Sequence, residues 1–141
     1  MMKTIVVSGE KSGIGKTYVA QKLLNCLQGW SALKVTVSKK GDCPHNKDCG
    51  ICLKIQQPFD IVKDIRIINQ AGKDTARLKE AGAKEVIWLK AKPEGLEDGL
   101  DKALSEFSEC KGVVIEGTSV LKFLNPDLNI HLYDKGKFSI C

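Results

Sequence analysis

The opening thirty residues restrict this chain more than any other segment. Thr4 to Ser8 is a short apolar run ending in Gly9, which reads as a buried strand. Gly9-Glu10-Lys11-Ser12-Gly13-Ile14-Gly15-Lys16-Thr17 follows, and then the hydrophobic period changes. Val19, Ala20, Leu23, Leu24 and Leu27 fall on one face of a helix, with Gly29 where a helix C-cap would sit. A strand, a glycine-rich loop and a helix in immediate succession are the context that a phosphate-binding loop requires.

The rest of the chain repeats the alternation. Leu33 to Ser38 reads as a second strand, and residues 40–54 as a polar, cysteine-rich loop. Residues 59–69 are ambiguous: Ile61, Ile65 and Ile68 have helical spacing, while Asp64-Ile65-Arg66-Ile67 alternates like a strand. Thr75 to Ala81 reads as a short helix ended by Gly82, and Glu85 to Leu89 as a strand. Leu96, Leu100, Ala103, Leu104 and Phe107 recur at helical spacing, Gly112 to Ile115 is a wholly apolar strand, and Leu128 to Tyr133 closes the series. Apolar strands separated by helices predict an α/β fold: a three-layer P-loop NTPase architecture with a mainly parallel sheet and helices on both faces. At 141 residues the chain reads as a single domain over 1–141, with the cysteine-rich loop inserted after the second strand. Ligands of such sheets bind outside the carboxyl ends of the strands, here just after Ser8, Ser38 and Ile115.

Composition narrows the function classes. With 43% hydrophobic and 28% charged residues, the chain fits an ordinary globular protein. No apolar run approaches the ~20 residues of a membrane span, and the first strand meets Ser8-Gly9 too early for a signal peptide, so a cytoplasmic protein with no membrane partner is expected. The net charge of +5 is spread without an aromatic platform, which favours a polyanionic small molecule over nucleic acid.

In the loop, glycines let successive N–H groups turn toward phosphate oxygens, and the helix N-terminus adds a favourable dipole. Ser12, Gly13, Ile14, Gly15, Lys16, Thr17 and Tyr18 are the candidate nucleotide-binding residues. Lys16 would reach the outer phosphates and Thr17 would ligate Mg²⁺. The strict pattern G-x-x-x-x-G-K-[ST] is not met, because Glu10 stands where its first glycine belongs and Gly9 lies one residue early. Lys11 has the position of the extra lysine in MinD-like and nitrogenase-iron-protein-like ATPases, where it would reach a partner subunit's nucleotide; an exposed loop lysine is the plainer reading. Glu116, at the end of an apolar strand and followed by Gly117, is an acidic candidate for the metal, and Asp42, just past the second strand, is another.

The Ser12-Gly13-Ile14-Gly15-Lys16-Thr17 loop, the Gly72-Lys73-Asp74-Thr75-Ala76-Arg77 to Gly82-Ala83 stretch and the Val114-Ile115-Glu116-Gly117 strand end follow one another in order. In this the chain resembles the molybdopterin-guanine dinucleotide biosynthesis protein B family of small GTP-binding proteins. The resemblance spans Lys3 to about Tyr133. It implies that the loop binds nucleotide phosphates, that Asp74 and Arg77 lie near the site entrance or a dimer interface, and that Glu116 sits at the magnesium. Lys39-Lys40-Gly41-Asp42 departs from the family by lacking its histidines, and no guanine-reading motif is visible, so GTP or ATP both fit.

Cys43, His45, Cys49 and Cys52 lie within ten residues, and Cys49-x-x-Cys52 has the spacing of zinc and iron–sulfur knuckles, although the whole pattern specifies neither Zn²⁺ nor a cluster. Cys26 reads as core packing, Cys110 and Cys141 as ordinary thiols, and His131 as a satisfied sheet residue. The expectation is a homodimeric nucleotide-binding adaptor that hydrolyses GTP slowly with Mg²⁺ through Lys16 and Glu116. It would assist a partner enzyme of molybdenum cofactor biosynthesis. The rivals are a metallocofactor-assembly ATPase, an ATP-dependent ligase resembling dethiobiotin synthetase, and a non-catalytic nucleotide sensor.

Overall fold

A computed structural model describes residues 2–11, 13–38, 57–134 and 138–140. Its sheet has seven strands in the order β3-β4-β2-β5-β1-β6-β7. These are β1 (Lys3–Gly9), β2 (Trp30–Val37), β3 (Phe59–Val62), β4 (Val86–Ala91), β5 (Gly112–Glu116), β6 (Leu128–Leu132) and β7 (Phe138–Ile140). The five central strands run parallel, whereas β3 and β7 are antiparallel edges. The mainly parallel sheet is therefore as expected, but Leu128 to Tyr133 does not close it, since β7 pairs on the outer side of β6. Strand β7 is only three residues long, too short for a hydrophobic pattern to announce it.

Helices cover both faces. On one side α1 (Lys16–Cys26), α2 (Ile65–Ile68) and α3 (Asp74–Glu80) bury Ala20, Leu24, Ile68 and Leu78 against Val7, Ala32, Val114 and Trp88. On the other, α4 (Leu96–Ser105) buries Leu96, Leu100 and Ala103 against Val6, Leu33, Leu89 and Ile115. Both faces of the central strands are thereby shielded, which is why their sequences read as unbroken apolar runs rather than alternating ones. No helix among the described residues is long and apolar enough to cross a membrane.

The ambiguous stretch at 59–69 is two elements. Phe59–Val62 is the edge strand, and Ile65–Ile68 is a single helical turn whose N-cap, Asp64, accepts a hydrogen bond from the Arg66 N–H at 2.9 Å. The mixed periodicity arose because a strand and a helix abut across Lys63-Asp64, and the capping aspartate was the available boundary signal. Strand β2 begins at Trp30, earlier than the apolar run suggested, because Ser31 is buried beside Val113 of β5. Helix α1 ends at Cys26, and Gly29 lies beyond its cap with a left-handed φ of 81°. Cys26 is exposed, not packed in the core: the buried stripe of α1 runs through Ala20 and Leu24 and leaves Cys26 on the solvent side.

Candidate functional site

The register of the parallel strands assembles the site at their carboxyl ends. Val7 of β1 lies opposite Glu116 of β5, and Glu116 in turn lies opposite Lys34 of β2. A cleft of about 940 Å³ opens there. Its walls come from the loop before α1, the ends of β2 and β5, and the first turn of α3.

The loop that follows β1 is built around glycine. Gly13 and Gly15 have φ of 75° and 110°, in the left-handed region that favours glycine. Gly9, which lies one residue early for the consensus, is demanded for another reason: a β-carbon there would sit 2.6 Å from Cγ2 of Ile14, because the loop folds back over the strand end. Thr118 pins the same residue, its hydroxyl accepting from the Gly9 N–H and donating to the Gly9 carbonyl, both at 3.0 Å. Gly15 is the N-cap of α1, without a side-chain cap, and the first helical turn has no acidic residue. The helix therefore presents its free amides and the positive end of its dipole to the cleft.

Two side chains meet across this opening. The Thr17 hydroxyl, in the first turn of α1, donates to Glu116 Oε1 at 2.8 Å. Glu116 is 6% exposed, and its Oε2 has no hydrogen-bond partner among the described residues. A buried carboxylate oxygen in that condition is costly, and it is an open coordination position on an acidic group. Lys16 also lines the cleft, with no ion-pair partner among the described residues.

The opposite wall carries a charge network. Lys34 Nζ donates to Asp74 Oδ2 at 2.7 Å and lies 3.8 Å from Glu116 Oε1, and Arg77 lies 3.4 Å from Asp74. Burial alone would raise the Asp74 carboxyl, but the Lys34 ammonium, the Thr17 hydroxyl and Arg77 together hold it below its ordinary value. Asp74 and Arg77, one helix turn apart on α3, thus line the cleft itself.

The expected site residues divide accordingly. Gly13, Gly15, Lys16, Thr17, Tyr18 and Glu116 are brought together in the cleft, with Tyr18 at 62% exposure on its rim. The Ile14 side chain packs against the core instead. Lys11 does not line the cleft and stands 3.6 Å from Asp134, both well exposed. Ser12, Asp42, Cys43, His45, Cys49, Cys52 and Cys141 lie outside the described residues. Cys110 is half-buried with its thiol 3.6 Å from Met2 Sδ. His131 is the sheet residue expected, its Nδ1 2.8 Å from the hydroxyl of buried Ser8.

Sequence reasoning does not single out Lys34 or Thr118. Lys34 had a signal: a lysine interrupting Ala32-Leu33-Lys34-Val35 in a strand otherwise apolar enough to be buried on both faces. Thr118 had none, since its partner is Gly9 at the other end of the chain. Comparison with family models, curated proteins and solved structures found no match to this chain.

Proposed function

We propose that this chain binds a nucleoside triphosphate together with Mg²⁺. The observation that carries the reading is the Thr17–Glu116 hydrogen bond, made at a helix N-terminus without a side-chain cap and beside a buried carboxylate oxygen that has no partner among the described residues. The donor set of hydroxyl and carboxylate oxygens suits a hard divalent cation, which prefers oxygen and keeps part of its water shell. Thr17 and Glu116 would hold the ion, whose contribution when bound is to neutralise phosphate charge. Lys16 and the amides of the Gly13–Gly15 turn would meet the phosphate oxygens. Glu116 Oε1 is engaged by Thr17 and its Oε2 is assigned to the ion, while Asp74 is held by Lys34, so neither is placed as a general base, which favours slow turnover.

The more specific reading follows from the family resemblance. It makes the protein a GTP-binding adaptor, acting as a homodimer beside an enzyme of molybdenum cofactor biosynthesis. A metal at Cys43, His45, Cys49 and Cys52 is a separate proposal, which elemental analysis of the purified protein addresses. The central test is calorimetric titration with GTP and ATP in the presence of Mg²⁺. Lys16→Ala should weaken triphosphate binding by roughly tenfold to a hundredfold, the worth of one charge-assisted contact, with an unchanged melting temperature. Retained affinity in that variant would overturn the phosphate assignment. Tight ATP and negligible GTP binding would move the reading to an ATPase.

A further inference from the structure

A lysine in the middle of a central parallel strand is an expensive residue to keep. Lys34 stands between Glu116 of β5 and Trp88 of β4 in register, and its side chain is only 20% exposed. Nothing in the phosphate-binding reading requires it. Its ammonium nevertheless sits between two of the cleft carboxylates, 2.7 Å from Asp74 and 3.8 Å from Glu116.

We infer that Lys34 is a built-in placeholder cation that keeps bare divalent metal out of the cleft and admits metal that arrives with a polyphosphate. The inference rests on reading Thr17 and Glu116 as the cation-holding pair, and it adds Asp74 and Lys34 to that site. Without Lys34, Asp74, Glu116 and the Thr17 hydroxyl are a donor set of two carboxylates offset only by Arg77, whose side chain is 53% exposed, and such a set attracts a small divalent ion. With Lys34 in place the two carboxylates are balanced by Lys34 and by Arg77, 3.4 Å from Asp74, and a bare metal must settle beside an ammonium at close range in a partly buried site. A polyphosphate changes the balance, because its oxygens bring negative charge that the Lys34 ammonium can face. The same cation therefore repels the bare metal and accepts the metal–polyphosphate complex. Lys34 is a positioning and selectivity residue here, and Glu116 Oε2, without a hydrogen-bond partner among the described residues, is the position it leaves open.

The experiment is Mn²⁺ titration of the nucleotide-free full chain, read by the loss of the free-ion spin-resonance signal. Lys34→Met, which keeps the apolar stem and removes the charge, should bind Mn²⁺ about tenfold more tightly than wild type or better, while Lys34→Arg stays within about threefold. Adding Asp74→Asn to Lys34→Met should abolish that gain. A Lys34→Met protein that melts cooperatively yet binds Mn²⁺ no more tightly than wild type overturns the inference. If Lys34→Met does not melt cooperatively, Lys34→Gln is judged by the same criterion. Wild-type protein that fails to bind triphosphate with Mg²⁺ would remove the nucleotide reading, whereas the Mn²⁺ comparison among variants decides the role of Lys34 by itself.

Discussion

Thr118 shows how a single side chain can hold a loop that the local sequence leaves loose. Its hydroxyl satisfies both the N–H and the C=O of Gly9, a residue buried at the point where β1 becomes the cleft loop. Replacing Thr118 by the nearly isosteric valine removes both bonds and strands two buried backbone groups. The expected cost is about 1–3 kcal/mol, read as a lower urea midpoint with an unchanged denaturant slope. Glu116 is the opposite case, a residue whose local arrangement is unfavourable. A buried carboxylate oxygen without a partner persists where the surrounding fold is stable enough to carry it, and such groups concentrate at sites that take a ligand. Lys16 and Glu116 were both legible from the chain, one from the glycine–lysine turn and the other from its place at the end of an apolar strand. That Thr17 and Glu116 share one site was also expected; the direct hydrogen bond between them was not.

At the level of elements, close approach is set by glycine as much as by apolar side chains. Gly99 lies inside α4, where alanine would ordinarily be the better helix former by about 1 kcal/mol. A β-carbon at Gly99 would meet Cδ1 of Leu89 at 2.9 Å and Phe59 at 3.0 Å, because α4 lies directly on β4 and β3. Overpacking of this kind costs about 1–3 kcal/mol, so Gly99→Ala should lower the melting temperature by several degrees despite its helical advantage. A rise in melting temperature would show that α4 can shift outward freely. The same element scale explains the ambiguity at 59–69, where Asp64 separates a strand that belongs to the sheet edge from a helical turn that packs with α3. Helix α3 itself is anchored by the buried Thr75 hydroxyl, which donates to the Ile68 carbonyl at 2.8 Å. That bond places Asp74 beside Lys34 and brings the Gly72-Lys73-Asp74-Thr75 stretch to the cleft.

For the molecule as a whole, the carboxylates held below their ordinary values set the acid limit of stability. Asp74 is lowered although its burial works in the other direction, Asp64 by its hydrogen bond to Arg66, and Glu106 by its bond to Lys63. Each contributes fully above its ordinary value, 3.8 for the aspartates and 4.5 for the glutamate, and loses that contribution as the pH falls through its lower folded value. Lys63 and Arg66 are raised, so their contribution is complete below their ordinary values and fades only at strongly alkaline pH. The urea midpoint should therefore stay level across neutral pH and decline below about pH 4. Asp74→Asn should flatten part of that decline, whereas an equally steep decline in the variant would show that Asp74 does not contribute. Because Arg66 and Lys63, the partners of Asp64 and Glu106, are exposed while Lys34 is only 20% exposed, those two pairs are the more screened and Asp74 should dominate.

What the chain determined alone was local and periodic. The apolar runs named most of the strands, the helical stripes named α1, α3 and α4, and the glycine-rich turn with Lys16 and Thr17 marked where a phosphate could sit. These are legible because backbone conformation and burial are written into near neighbours. Tertiary structure decided everything that depends on strands distant in sequence: the seven-strand order, the antiparallel edges, the exposure of Cys26, and the meeting of Thr17, Lys34, Asp74 and Glu116. The physical reason is register. Placing Lys34 beside Glu116 requires β2 and β5 to pair with a particular offset, which is set by packing both faces of the whole sheet rather than by either strand's own residues.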